Sequence, residues 1–555
     1  MSSDRLIYLP LGGAGEVGMN AYVYGYGAPG EERLILVDLG VTFPDMDTTP
    51  GVDLILPDIA WLEERKDRLE AIVITHAHED HVGAVGHLWA RLGAKVIARP
   101  FTAHHARRKM GEHGADDRAV EIAQPWPEQR DIGPFKIGFL PVSHSIPETS
   151  AIVIDTPAGR VIHTADFKID LTPVVGEPFD RDLWEEVSKP GVVALVCDST
   201  NVFSPEPGRS EASIAPEIAK LIDAQNGMVI ATTFASNVAR VKSLALAGQG
   251  AGRSVCLLGR AMRRMIEAAV ETGVLTDFPK TVSAEEAADI PRDNLLLLVT
   301  GSQGERRAAS AQLSRGKYLG LEVSEGDVFL FSSKTIPGNE RGVLQIINNY
   351  SEKGVDVIDD SSGRYHVSGH ANGPDLEAVH GIVAPKMVIP MHGEHRMLRA
   401  HAKLAEAGGR ASILAVNGTM VEIAPDGPRV AEYVETGRIY YDGSTYVGAL
   451  DGVIRDRIRM ALNGHVAVTL IIDEEGAPLG DPWCDTKGLP ETGASNAPLT
   501  DILEADLGQF LGRAKGKTLA DDDALEEELR RIVRRTADTE IGKKPEVTVV
   551  VSRLS

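Results

Sequence analysis

The stretch Thr75-His76-Ala77-His78-Glu79-Asp80-His81 places three imidazoles and two carboxylates side by side, directly after the apolar run Ala71 to Thr75. In an extended loop, side chains two residues apart point the same way, so His76 and His78 can address one cation. Asp80 and His81, opening the next helix, can reach a second. A lone histidine is more often a satisfied structural residue, but three with acids at a strand end have the composition of a ligand set. Ligand-type residues recur in the same setting: His144 after Phe139 to Val142, Asp166 after Val161 to Thr164, and His392 after Met387 to Ile389. Loops at the carboxyl ends of strands in α/β sheets open on a common crevice, so these residues can join one site. Two divalent ions about 3.5–4 Å apart in such a cluster generate a hydroxide and clamp a phosphodiester.

The elements that must position these groups read as α/β. Short apolar runs (Leu34 to Val37, Val192 to Cys197, Met228 to Ala231, Leu295 to Val299) alternate with helix-prone segments such as Ser213 to Ala224 and Met262 to Thr272. The helical text between about 210 and 360 interrupts the histidine series, which resumes at His366, and this predicts an inserted domain. A third unit follows Ser444, with a strand at His465 to Ile472, a polar stretch from Gly476 to Pro498, a helix presenting Leu525, Leu529, Ile532 and Val533, and a strand at Val547 to Val551. Gly13-Ala14-Gly15-Glu16-Val17-Gly18 matches a dinucleotide fingerprint, with Asp38 as its distal acid. That mechanism needs a helix after the glycines, whereas Ala21-Tyr22-Val23-Tyr24-Gly25 is hairpin text, so a nucleotide site is excluded.

The series His76-Ala77-His78-Glu79-Asp80-His81, His144, Asp166 and His392 resembles the metal-binding set of the metallo-β-lactamase superfamily. The resemblance implies two zinc ions per subunit, with manganese or magnesium as alternatives. By it His76, His78 and His144 hold one ion, Asp80, His81 and His392 the other, and Asp166 bridges them. Asp198 in Cys197-Asp198-Ser199-Thr200 and His370 in His366-Val367-Ser368-Gly369-His370 are similar to the β-CASP nuclease branch. Similarity to the ribonuclease J family extends over Leu11 to Gly18, Thr233 to Asn237, Gly301-Ser302-Gln303-Gly304-Glu305 and Ile336-Pro337-Gly338-Asn339-Glu340. Arg306, where a proline commonly follows Gly-Glu, and Lys334-Thr335 depart from that pattern. The implied fold is α/β: a metallo-β-lactamase αββα sandwich in two parts (1–209 and 361–444), an inserted β-CASP α/β domain (210–360) and a small C-terminal α/β domain with its linker (445–555).

The activity implied is 5′-to-3′ exoribonuclease on 5′-monophosphorylated RNA together with endonucleolytic cleavage, in messenger decay and ribosomal RNA maturation. We expect a metal-bridging hydroxide oriented by Asp80 or Asp166, with His370 bonding the phosphate and protonating the departing 3′ oxygen. Asp198 is expected to orient a ligand rather than bind metal. Ser236 and Asn237 precede helix-prone Val238-Ala239-Arg240, and capping that helix or offering amides to a phosphate would explain them equally. The resemblance places them with His366 and Ser368 near a pocket for the 5′ phosphate, and gives Phe43 as a base-stacking residue, although a buried Phe is the commoner case.

The bulk properties bound this reading. At 555 residues the chain is multidomain. Cys197, Cys256 and Cys484 form no C-x-x-C pair, which leaves His and carboxylate as the ligands. The N-terminus lacks a secretory pattern and no apolar run suits a membrane span, so a cytoplasmic setting is expected. The net charge of -23 opposes phosphate binding at long range. Arg260, Arg263, Arg264, Arg306, Arg307, Arg315 and Lys317 are the candidates to line a local groove, and solvated helix faces would explain each of them as well. Expected partners are single-stranded RNA, further copies of the chain in a homodimer or homotetramer, and other RNA-decay proteins, with no membrane. The competing functions are a small-molecule thioester or lactam hydrolase on the same core, which the insertion and His370 disfavour, and a non-catalytic scaffold of an RNA-decay assembly, which intact ligands disfavour.

Overall fold

The aromatic and β-branched residues of Ala21–Gly27 pair antiparallel with Arg5–Gly12, so a strand and not a helix follows the glycine-rich segment. In this computed structural model, which describes residues 4–554, that hairpin lies within an eight-stranded sheet. Its order is Gly427–Tyr433, Thr419–Ala424, Arg5–Gly12, Ala21–Gly27, Arg33–Val37, Leu69–Val73, Lys95–Ala98 and Val120–Ile122. A seven-stranded sheet runs Ala411–Ser412, Met387–Met391, Val192–Asp198, Gly159–His163, Ser150–Thr156, Phe135–Pro141 and Gln129–Ile132. Tyr8, Val37 and Val73 from the first sheet share one apolar core with Phe139, Val196 and Ile389 from the second. Because side chains alternate along a strand, Leu195 and Cys197 face the other way. There they pack with Trp184, Leu376, Val379 and Ala405 from the helices Arg181–Ser188, Gly373–Val383 and His395–Ala407. Helix Pro100–Glu112 lies beside the outer strands of the first sheet. These are the layers of an αββα sandwich.

Between the two parts of the sandwich stands a six-stranded sheet ordered Thr281–Val282, Ser254–Leu258, Leu295–Val299, Val229–Thr232, Val328–Phe331 and Asp356–Ile358, parallel throughout. Helices cover both faces, which is why Leu295–Val299 is apolar at every position. The helix expected from Ser213 opens as a 3-10 turn, Glu211–Ile214, and becomes α-helical at Ala215–Asp223 with Pro216 in its first turn.

By its contacts the chain divides into two units, one comprising residues up to Thr42 with Leu56–Arg438, the other Phe43–Ile55 with the chain from Ile439 onward. In the second unit His465–Ile472 pairs parallel with Glu546–Arg553 and antiparallel with Trp483–Lys487. Helices Leu499–Leu511 and Asp522–Ile541 bury Leu503, Leu507, Leu529 and Val533 against that sheet. Residues 43–55 join this unit through Asp53, whose amide donates to the Tyr441 carbonyl (2.9 Å) and whose carboxylate accepts from the Gly443 amide (2.8 Å). No helix among the described residues is long and apolar enough to cross a membrane.

Candidate metal centre

Five strand ends carry the cluster. His76 and His78 follow Leu69–Val73, His144 follows Phe135–Pro141, Asp166 follows Gly159–His163, Asp198 closes Val192–Asp198, and His392 follows Met387–Met391. Parallel register sets Val196 opposite both His163 and Ile389, so the last three ends lie level. Three non-glycine residues at strand ends around the cluster adopt left-handed backbone: Asp38 (φ 63°), after Arg33–Val37, Ala165 (φ 54°) and His392 (φ 47°). Each such conformation costs about 1–3 kcal/mol, held by the flanking sheet. Asp80 and His81 lie on the short helix Glu79–Val82, whose carbonyls are gripped from outside: Asn20 N donates to Asp80 O (2.9 Å) and Leu39 N to His81 O (2.8 Å). A Cβ on Gly40 would lie 1.6 Å from the Asp80 carbonyl oxygen, so only glycine lets this loop pass the helix.

His76 Nε2, His144 Nε2 and His78 Nδ1 converge, each of the first two 3.1 Å from the third, with Asp166 Oδ2 3.9 and 3.8 Å from His76 and His144. The other nitrogens of His76 and His144 are spoken for: His76 Nδ1 lies 2.9 Å from Thr75 Oγ1, and His144 Nδ1 donates to the Gly369 carbonyl (2.6 Å). Beside them His81 Nε2 stands 3.2 Å from Asp166 Oδ2 and 3.4 Å from Asp80 Oδ2, and His392 Nε2 is also 3.4 Å from Asp80 Oδ2. His81 Nδ1 is held by Asp38 Oδ2 at 2.7 Å. Three four-residue groups thus share Asp166: His76, His78, His144, Asp166; Asp80, His81, Asp166, His392; and Asp166, Asp198, His370, His392.

The donor chemistry fits two divalent cations. Burial first, then neighbouring imidazoles, hold His76 and His144 well below the usual imidazole range, and burial brings His78 to about 4. These downward shifts favour neutral rings, the form in which an imidazole binds a cation. Burial acts the same way on His392, but Asp166 outweighs it and lifts the ring to about 10. Burial is likewise overcome at His81, by Asp166, Asp80 and Asp38. The upward shift at both rings marks a place where the buried carboxylates require positive charge beside them. His392 Nδ1 and Asp166 Oδ1 approach to 2.5 Å yet make no hydrogen bond of acceptable angle, as two ligand atoms aimed at a common point would.

His370 borders this cluster, with Nδ1 2.8 Å from Asp198 Oδ2 and its amide donating to Ser368 Oγ (3.1 Å). Asp198 Oδ1 lies 3.7 Å from His392 Nδ1 and accepts from the Thr200 hydroxyl (2.7 Å). His366 and Ser368 share the half-buried loop that carries His370. Asn237 caps helix Val238–Gly250, its side chain accepting from Arg240 N (2.9 Å), and the amides of Asn237 and Val238 donate to Phe234 O and Ser236 O. Those two amides are therefore taken; Ser236 is half-buried and the capping Asn237 is buried. Phe43 is 64% exposed and belongs to the second unit. Of the expected basic lining, Arg260, Arg263, Arg306, Arg307, Arg315 and Lys317 are exposed, and Arg264 faces Glu112 at 3.8 Å.

The sequence reading missed Asp38 as the partner of His81, having weighed it only as the acid of a nucleotide motif. Its place one residue beyond an apolar strand was the available signal. It also missed Cys197, His380 and His401, a buried trio on the outer face of the second sheet. There Ser199 Oγ meets His401 Nδ1 (2.9 Å) and the two Nε2 atoms lie 3.1 Å apart, a closed hydrogen-bond chain.

Comparison with known proteins gives four family matches along the chain. These are the metallo-beta-lactamase superfamily over residues 14–192, the ribonuclease J beta-CASP domain over 226–350, the Zn-dependent metallo-hydrolase RNA specificity domain over 363–415 and the ribonuclease J C-terminal domain over 452–554. Ribonuclease J of Sinorhizobium meliloti is 42% identical over 99% of this chain and 98% of its own length. That of Mycobacterium tuberculosis is 34% identical over 99% and 98%. A solved structure of a protein of unknown function from Enterococcus faecalis V583 superposes on 75% of this chain and 100% of its own, at a TM-score of 0.52 and 15% identity, which bears on fold alone. With its ligand-rich strand ends, its interrupted sandwich and relatives matched end to end, the chain belongs to the ribonuclease J family, a metallo-β-lactamase fold carrying an inserted β-CASP domain.

Proposed function

We propose that the chain hydrolyses RNA phosphodiesters, acting as a 5′-to-3′ exoribonuclease that prefers a 5′ monophosphate and also as an endonuclease. The observation that carries this is the pair of ligand groups joined at Asp166 with His370 at their edge. When bound, two divalent cations, zinc in this reading with manganese or magnesium as alternatives, supply a water acidic enough to ionise near neutral pH and positive charge against the phosphoryl oxygens. Asp80 or Asp166 orients the attacking water. Its oxygen bonds to phosphorus, the P–O3′ bond breaks, and His370 delivers a proton from Nε2 to the departing 3′ oxygen. Asp198, on Nδ1 of that ring, fixes which nitrogen faces the substrate. Cleavage of this bond leaves a 5′ phosphate on the remaining RNA, so every turnover regenerates the preferred end. His366, Ser368, Ser236 and Asn237 receive that end and Phe43 stacks a base.

In this reading the enzyme works in the cytoplasm on single-stranded RNA, as a homodimer or homotetramer with other RNA-decay proteins, in messenger decay and ribosomal RNA maturation. The test uses one labelled RNA bearing a 5′ monophosphate, triphosphate or hydroxyl, with wild type, His78→Ala and His370→Ala. Mononucleotides released preferentially from the monophosphate, and lost in both variants and on chelation, are expected. Internal fragments alone would refute the 5′ pocket, and no metal-dependent cleavage of any RNA would refute the nuclease.

A further inference from the structure

The loop Tyr365 to His370 is held at both ends. At its C-terminal end Gly369 accepts from His144 and His370 meets Asp198. At its N-terminal end one side chain does the work of several: Arg240, fully buried in the first turn of helix Val238–Gly250. Its guanidinium reaches the Tyr365 carbonyl (3.3 Å), His366 Nδ1 (3.2 Å) and the Val367 carbonyl (3.5 Å), three consecutive residues of the loop. It also donates to the Ser332 carbonyl (2.6 Å), at the end of strand Val328–Phe331. Glu211, 4% exposed, neutralises it as a two-pronged pair at 2.5 and 2.9 Å.

A buried ion pair of this kind is a poor source of stability, because desolvation cancels much of the attraction and an apolar pair of equal volume would serve as well. What an apolar pair could not do is present N–H groups to three successive loop residues and a strand end, the two Nη1 hydrogens being shared among the Ser332 carbonyl, the Tyr365 carbonyl and His366 Nδ1. Arginine has donors only, so in its 3.2 Å contact with Nη1 the His366 Nδ1 atom is the acceptor, which favours the ring proton on Nε2. Burial, then the Arg240 charge, keep that ring neutral at about 3. A neutral imidazole with Nε2–H is a hydrogen-bond donor of fixed direction, which is what a phosphate oxygen requires.

We infer that Arg240, backed by Glu211, is a positioning residue for 5′-phosphate recognition: it sets the Nε2–H tautomer of His366 and seats the loop from the side of the inserted domain. The inference rests on the proposed role of His366, and the first of its two tests is independent of that role. In the metal-loaded enzyme with 15N-labelled histidine, the His366 resonances, assigned by loss in His366→Gln, should report Nε2–H. In Arg240→Lys, whose ammonium cannot fork, they should shift toward a tautomer mixture. A wild-type Nδ1–H ring overturns the inference whatever the RNA chemistry.

The second test is a double-mutant cycle of Arg240→Lys and His366→Ala, read as the kcat/KM ratio for 5′-monophosphate over 5′-hydroxyl RNA. Arg240→Lys should cut that ratio by roughly tenfold to a hundredfold, mainly through KM, with bound metal unchanged. Combined with His366→Ala it should add nothing further. Glu211→Gln, which keeps size and hydrogen bonding, should give the same change at smaller amplitude and stands in if Arg240→Lys does not fold. Equal loss on both RNA ends, or additive losses in the cycle, would assign the pair to stability alone. A wild type without 5′ preference would instead remove the reading of the pocket while leaving the tautomer result standing.

Discussion

At the scale of single residues, the centre depends on groups that never touch a cation. His81 can present Nε2 only because Asp38 holds Nδ1, and Asp38 keeps its place by accepting from Thr75 at both amide (2.8 Å) and hydroxyl (2.9 Å). Partners of this sort typically change metal affinity by about 10- to 100-fold when removed. We therefore expect Asp38→Asn to fold but to retain one tightly bound equivalent instead of two, counted by plasma mass spectrometry after dialysis. Two retained equivalents would mean that Asp38 serves only the loop. The histidines were legible in sequence because few residue types bind such cations and each sat past an apolar run. Asp38 was not, since an acid after a strand is common and its partner lies far along the chain.

At the scale of elements, strand interiors were legible and strand ends were not. Leu295–Val299 matches its apolar run, whereas the run ending at Thr75 stops as a strand at Val73. The amide of Thr75 goes to Asp38 and not to a neighbouring strand, a choice set by an acid distant in sequence. Trp483–Lys487 was hidden in polar text because it buries Cys484 while leaving Trp483 exposed. The short helix Glu79–Val82 has too few turns to persist alone and is held by the segments around Asn20 and Leu39. Gly40→Ala puts a methyl group into the backbone of that helix. Its expected effect is a loss of about 2–4 kcal/mol by denaturant unfolding of the metal-free protein, together with loss of metal. An unchanged midpoint would show that the loop yields at little cost.

At the scale of the whole molecule, a net charge of -23 has to coexist with RNA binding. If only a few basic side chains and the cation pair meet the phosphates, few counterions are released. We expect log K for a hydrolysis-resistant single strand to fall with log salt at a slope shallower than about −3, corresponding to roughly four neutralised phosphates. A slope near −7, measured by anisotropy titration, would require an extended basic track and would give the exposed arginines of the inserted domain a larger role.

The sandwich closes on itself across the insertion: Arg5–Gly12 lies between Ala21–Gly27 and Thr419–Ala424, and the ligand series that opens at His76 ends at His392. A polypeptide emerging from the ribosome therefore carries a partial ligand set, an unpaired edge on Arg5–Gly12 and no active centre until most of the chain has been made. The centre is therefore a late product of synthesis, complete only once Met387–Met391 and His392, beyond the insertion, have taken their place.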